Sequence, residues 1–177
     1  MTAASQSVVM PWWRSYRADP RARPLADRHY NRPAVGAAQF VPPGRCVVLL
    51  TAMADALWIT SWPQAAYVQH AWPGAWICSA FRNESVVLSS ALIAAAEAAT
   101  RAIFGDPPPQ GFVTFVDPRQ VRRKRDPGRC FRRAGWSHVG YTATERLWVY
   151  QHTAAEIPSA QAPQRRDPLL AFEEGAA

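Results

Sequence analysis

The strongest chemical signal in this chain is a carboxylate at the end of an apolar, β-branched run: Gly111-Phe-Val-Thr-Phe-Val116 leads into Asp117-Pro118. The carboxyl end of a buried strand is where ligands of open α/β sheets gather, although Asp before Pro is also an ordinary turn former. Beside it stand Arg119, Arg122, Arg123, Lys124, Arg125, Arg129, Arg132 and Arg133, with only Asp126 opposing them. A charge run is commonly a solvated face, but one of nearly single sign repels itself unless an anion neutralises it. The loop is therefore expected to bind a polyanion. A second basic group, Arg14, Arg17, Arg21, Arg23, Arg28 and Arg32, is interleaved with Trp12, Trp13, Tyr16 and Tyr30. Arginine with aromatics is a combination that grips phosphates and unstacked bases, and it serves equally well to pack an arm on a domain.

A third candidate lies between two elements. A strand that passes through a polar turn into a helix start leaves first-turn N–H groups without intrahelical partners, at the positive end of the helix dipole. Phe81–Leu92 has that form, with Asn83, Ser85, Ser89 and Ser90 able to add amide or hydroxyl contacts to a pyrophosphate and Ser89 placed as the N-cap. No Gly-rich dinucleotide fingerprint and no Walker motif is present, which disfavours the usual nucleotide folds.

The elements that position these groups follow from periodicity and punctuation. Residues 1–24, broken by Pro11, Pro20 and Pro24, read as a flexible arm, and 24–32 as a short helix or turn presenting Asp27, Arg28, His29 and Tyr30. Arg45–Thr51 and Ala56–Ser61 read as a strand pair and Ala75–Phe81 as a third strand; an Ala-rich helix then runs from Ser89 to Phe104-Gly105. After the Gly111 strand and the basic loop come a short helix at Cys130–Ala134, closed by Gly135-Trp136, and a hairpin of Ser137–Thr142 with Arg146–Gln151. Residues 25–153 are the expected domain and 154–177 a disordered tail. The fold class is α+β, a mixed, largely antiparallel sheet flanked by helices, with the basic loop after its fifth strand.

Composition bounds the class. The chain has 177 residues, 49% of them hydrophobic with 8 Trp, enough for one core, and a net charge of +7 carried almost wholly by Arg. Arginine bias also follows a GC-rich genome, so the clustering argues for nucleic-acid binding more than the total does. Cys46, Cys78 and Cys130 are odd in number and far apart, which disfavours a disulfide framework and a zinc knuckle. No apolar stretch is long enough to span a bilayer, and no leader opens the sequence, so a soluble, intracellular protein with no membrane partner is expected.

Taken in order, His29-Tyr30, Asn83-Glu84-Ser85 with Leu88-Ser89, Phe115-Val116-Asp117-Pro118, and Gly128-Arg-Cys-Phe-Arg-Arg-Ala-Gly-Trp136 followed by Gly140 resemble the acyl-CoA-binding core of the Gcn5-related N-acetyltransferase superfamily. Within it the chain is most similar to the phage Mom family of DNA-modifying enzymes, over roughly residues 26–151. The resemblance implies a phage-encoded enzyme in the bacterial cytoplasm that binds double-stranded DNA. It implies transfer of an acyl-derived group, of acetamido or methylcarbamoyl type, from acetyl-CoA or a related acyl-CoA to a base, adenine N6 in the best-known members, protecting phage DNA from restriction. It places His29, Tyr30 and Asp117 at the reacting centre. The donor falls to Phe81, Asn83, Ser85, Leu88, Ser89, Ser90, Phe131 and Trp136, and DNA to Arg28, Arg32, Arg119, Arg122, Arg123, Lys124, Arg125 and Arg129. The chain departs from ordinary acetyltransferases in lacking the Gly-rich phosphate turn. His29, Tyr30 and Asp117 are also a candidate set for a transition metal such as iron, since imidazole plus carboxylate suits one. A satisfied surface histidine and a core Trp136 are the plain alternatives. Two other readings stay open: the same fold acting on a hypermodified pyrimidine or a small amine, and a non-catalytic nucleic-acid-binding module.

Overall fold

Alternation along Arg45–Thr51 (β2 of the sheet) sends Val47 and Leu49 to one face and Val48 and Leu50 to the other, and all four are buried. A strand apolar on both faces needs cover on both sides. The computed structural model, which describes residues 9–41, 43–64, 68, 70–121 and 126–165, supplies that cover. The elements in chain order are β1 (Trp12–Ser15), α1 (Arg23–Asp27), β2, β3 (Ala56–Trp62), β4 (Trp76–Asn83), α2 (Ser89–Phe104), β5 (Phe112–Val116), α3 (Arg129–Arg133), β6 (Ser137–Tyr141) and β7 (Trp148–His152). The seven strands form one mixed sheet in the order β1-β2-β3-β4-β5-β7-β6. Every neighbouring pair is antiparallel except β4 and β5.

The larger core joins Val47, Leu49, Trp58, Trp76 and Phe112 of the sheet to Leu92, Ile93, Ala96 and Ala99 of α2 and Phe131 of α3. The opposite face carries Val48, Leu50, Leu57 and Ile59 against Leu25 and Ala26 of α1 and Phe40 and Val41 of the segment that follows. Ala-rich composition lets α2 lie close to the sheet, and Thr60 Oγ1 meets Thr100 Oγ1 across that contact at 3.1 Å.

Two boundaries differ from the sequence expectation. From residue 12 onward the supposed arm is part of the sheet: β1 pairs with β2, and Trp12 is fully buried with its Nε1 donating to Leu92 O at 2.9 Å. Residues 154–165 are likewise ordered against the domain. Ile157 enters the main core, Arg101 Nη1 donates to Ile157 O, Gln161 N donates to Ala98 O, and Gln164 bridges Trp13 beside β1. No helix among the described residues is long and apolar enough to cross a membrane.

The feature that creates a site is the β4/β5 pair. Its parallel register runs only from Trp76/Phe112 to Cys78/Thr114, with Thr114 Oγ1 donating to Cys78 O at 3.0 Å as the last rung. β4 has a bulge against β3 at the same level, where Ile59 faces Ala80 and Thr60 faces Cys78 with Ser79 between them. A bulge bends and twists its strand. Past it, Ser79–Asn83 stays with β3 while Phe115 and Val116 stay with β7, and β4 and β5 part.

Candidate functional site

The parted strands open a cleft of about 1110 Å³ whose walls come from β4, β5, the start of α2, α3 and the His29-Tyr30 segment. At one end the chain turns from β4 into α2. Asn83 holds that turn: its Oδ1 accepts from Ser85 N and Ser85 Oγ, and its Nδ2 donates to Val87 O and Ser89 Oγ. Leu88, not Ser89, is the N-cap residue, and no side chain caps the helix. The reason is that Ser89 Oγ is already engaged by Asn83 and Ser89 itself has entered the first turn. The first-turn N–H groups of α2 therefore open toward the cleft beside Leu88, Ser89 and Ser90.

Of the residues assigned to an acyl donor, Phe81, Asn83, Leu88, Ser89, Ser90 and Phe131 do wall the cleft. Ser85 does not; it shapes the turn, its Oγ accepting from Val87 N. Trp136 does not either, being buried between Phe131, Phe112 and His152 as a core residue. Sequence reasoning missed Cys78, Arg82 and Cys130, which also wall the cleft, and read Arg133 only as part of the basic run.

The three residues assigned to the reacting centre part company. His29 and Tyr30 stack at 4.6 Å and both wall the cleft. Burial, with the nearby Arg82 guanidinium, pulls the His29 imidazole down to about 4, so the ring is neutral at physiological pH. Asn31 N donates to His29 Nδ1 at 3.2 Å, which puts the remaining ring proton on Nε2 and makes that atom a donor. Burial raises the Tyr30 phenol, which stays protonated; Asp117 N donates to its Oη at 3.4 Å. Asp117, in contrast, is off the cleft wall. Its Oδ1 accepts from Arg119 N and Nε, and its Oδ2 from Arg119 Nη2, all at 2.9 Å. That bidentate pair holds the Asp117 carboxyl below its ordinary range, so it is a structural anion and not a free base.

Both Asp117 oxygens accept from Arg119, and His29 Nδ1 accepts from Asn31 N. Among the described residues no group of three His, Cys, Asp or Glu side chains could hold a metal ion.

The arginines divide in the same way. Arg28 grips Glu84 with two 2.8 Å bonds, and Arg82 Nε adds a third, so the Glu84 carboxyl is drawn down to about 2 by its two guanidinium partners. Arg32 is buried and donates to Asp27 Oδ1, Gln39 O and Ala37 O, which removes it from any DNA surface. Arg132 pairs with Asp126. Arg129 and Arg133 sit one turn apart on α3, exposed, on the cleft wall, and without a carboxylate partner among the described residues. Gly128, at φ +77°, starts that helix, and an added Cβ would lie 2.3 Å from the Tyr150 ring, so only glycine lets α3 settle there. Arg122, Arg123, Lys124 and Arg125 lie outside the described residues.

Protein-family models, curated proteins and solved structures were compared with this chain, and none matches it.

Proposed function

We propose that this protein is an acyltransferase of the Gcn5-related type, with Mom-like specificity, that moves an acyl-derived group from an acyl-CoA to an exocyclic base amine, adenine N6 foremost, in double-stranded DNA. The observation that carries the reading is the parting of β4 and β5 after Cys78/Thr114, directly beside the uncapped start of α2. The cleft between Phe81 and the Asp117 strand end is where the resemblance expects the pantetheine arm, and the α2 start is where it expects the pyrophosphate.

The residues present fit such a donor. Phe81, Leu88 and Phe131 offer an apolar wall, and the open N–H groups of α2, with Arg129 and Arg133, offer positive charge to phosphates. When bound, the acyl-CoA supplies an activated acyl carbon and a thiolate leaving group. A base amine is a poor nucleophile, so positioning must supply much of the rate. His29 Nε2–H is a preorganised donor for an acyl oxygen that gains negative charge, and its low basicity keeps the ring neutral. The Tyr30 hydroxyl, protonated and on the same wall, is suited to hand its proton to the departing sulfur, while the acylated amine gives up its own proton to solvent and solvent returns one to Tyr30. Asp117, locked to Arg119, takes no proton in this scheme, so His29 is the residue that separates a catalyst from a plain DNA-binding module.

Mass spectrometry of nucleosides from plasmid DNA recovered after expression tests the proposal. A modified nucleoside that vanishes with His29→Ala is the expected result. Unmodified DNA, together with no calorimetric heat from acetyl-CoA or CoA, overturns it.

A further inference from the structure

A second cavity of about 490 Å³ lies on the α1 side of the sheet, lined by α1, the 31–41 segment, Ile59 of β3 and Ser79-Ala80 of β4. It shares His29, Ser79 and Ala80 with the large cleft, so His29 borders both spaces at the level of the β4 bulge. Its volume falls within the ~300–1,000 Å³ of small-molecule pockets. The wall is built and not a slack loop: Arg32 ties Asp27, Ala37 and Gln39 together, and Asn31 Nδ2 donates to Ser79 O at 3.2 Å.

The lining suits one kind of occupant. Phe40, Val41 and Ile59 form an apolar floor. Around it the Asn31 Oδ1 and the whole Gln39 amide have no hydrogen-bond partner among the described residues. An apolar slot rimmed by amide donors and acceptors matches a flat heteroaromatic ring with a hydrogen-bonding edge. A duplex conceals that edge, and enzymes that act on a base rotate it out of the stack.

We propose that the α1-side cavity receives the acceptor nucleobase, rotated out of the duplex, and that Asn31 and Gln39 read its edge while its exocyclic amine reaches the donor cleft beside His29. This deepens the acyltransferase reading and rests on it for the direction of transfer. The base site itself is testable without transfer.

The probe is a mixed-sequence duplex carrying 8-azido-2′-deoxyadenosine at scattered positions, irradiated with the full chain and mapped by peptide mass spectrometry. Labelling within residues 29–41, or at Ile59 or Ser79-Ala80, is expected. Ala34→Trp, an exposed position on the rim, should cut that label at least tenfold and base modification with it, while acetyl-CoA binding and overall duplex affinity stay within twofold. Gln39→Leu, which keeps the side-chain size, should reduce the label in the same direction and covers the case in which the tryptophan variant misfolds. Label confined to α3 or Arg119, or label and modification unchanged in both variants, overturns the inference and makes the cavity a packing void. Label at this site with no modified nucleoside from wild type would sink the acyltransferase reading and leave the base site standing. Modified DNA with no label here would do the reverse.

Discussion

His29 and Asp117 have opposite fates for local reasons. The folded-state pKa of His29, about 4, lies below its ordinary 6.5, so the neutral ring adds stability that is complete above 6.5 and is lost as pH falls through 4. The His29 ring resonances should therefore be constant from about pH 5.5 to 8 by NMR, with any neutral-pH limb in the rate belonging to another group. His29→Ala should lower transfer on the order of 10²–10³-fold, the usual cost of losing one preorganised oxyanion donor. Asp117→Asn should behave differently. Its partner Arg119 is 60% exposed, so solvent screens the pair and it adds little to stability. Near-wild-type modification and thermal stability are expected for it, and loss of transfer with an intact fold would return Asp117 to the reacting centre.

At the scale of elements, the start of α2 is the sharpest case. A helix of 16 residues with Leu88 as its N-cap lacks a side-chain acceptor that would ordinarily stabilise it. Leu88→Asp should supply one, adding ~1 kcal/mol, or ~2–4 °C in Tm for a chain of this size. The same carboxylate would stand where the proposed function puts the donor phosphates, so acetyl-CoA affinity should fall at least tenfold by calorimetry. A gain in stability with unchanged affinity would move the phosphates elsewhere. Opposed effects of this kind separate a helix start left open for an anion from one that is merely poorly capped.

Two properties belong to the whole molecule. Beneath the cleft, Glu97 of α2 and His152 of β7 are buried together with Oε1 and Nδ1 2.6 Å apart. Burial drives the Glu97 carboxyl up; for His152 burial opposes the charge, but the Glu97 carboxylate overrides it and raises the ring. Both directions mean that the folded state holds its proton more tightly than the unfolded one, so stability is fullest below the ordinary values and falls as pH rises through the raised ones. Tm should decline from about pH 6.5 upward, and Glu97→Gln should flatten that decline; a decline unchanged in the variant would assign it elsewhere. The other property is charge. Arg129 and Arg133 are the cleft-wall arginines without carboxylates among the described residues. If they meet DNA, replacing both with Ala should reduce the slope of log K against log salt by about 1.8, at ~0.9 per phosphate. An unchanged slope would leave them to the donor alone.

Much of this was legible in one dimension because it is local. Apolar β-branched runs marked β2, β4 and β5, an Ala-rich stretch stopped by Gly105 marked α2, and the polar turn at Asn83–Ser90 marked the α2 end of the cleft. Even the capture of Asp117 by Arg119 spans two residues, and an Asp-Pro-Arg turn allows it. Tertiary structure alone decided the rest, because it depends on partners far along the chain. β1 is a four-residue piece between prolines with no readable period, and only its pairing with β2 buries Trp12. Arg28 finds Glu84 across 56 residues, and Gln164 finds Met10 across 154. The parting of β4 from β5 follows from a bulge that β4 makes where it pairs with its opposite neighbour, β3. A sequence shows which residues favour a strand; it does not show which neighbour each strand keeps when it must choose between two.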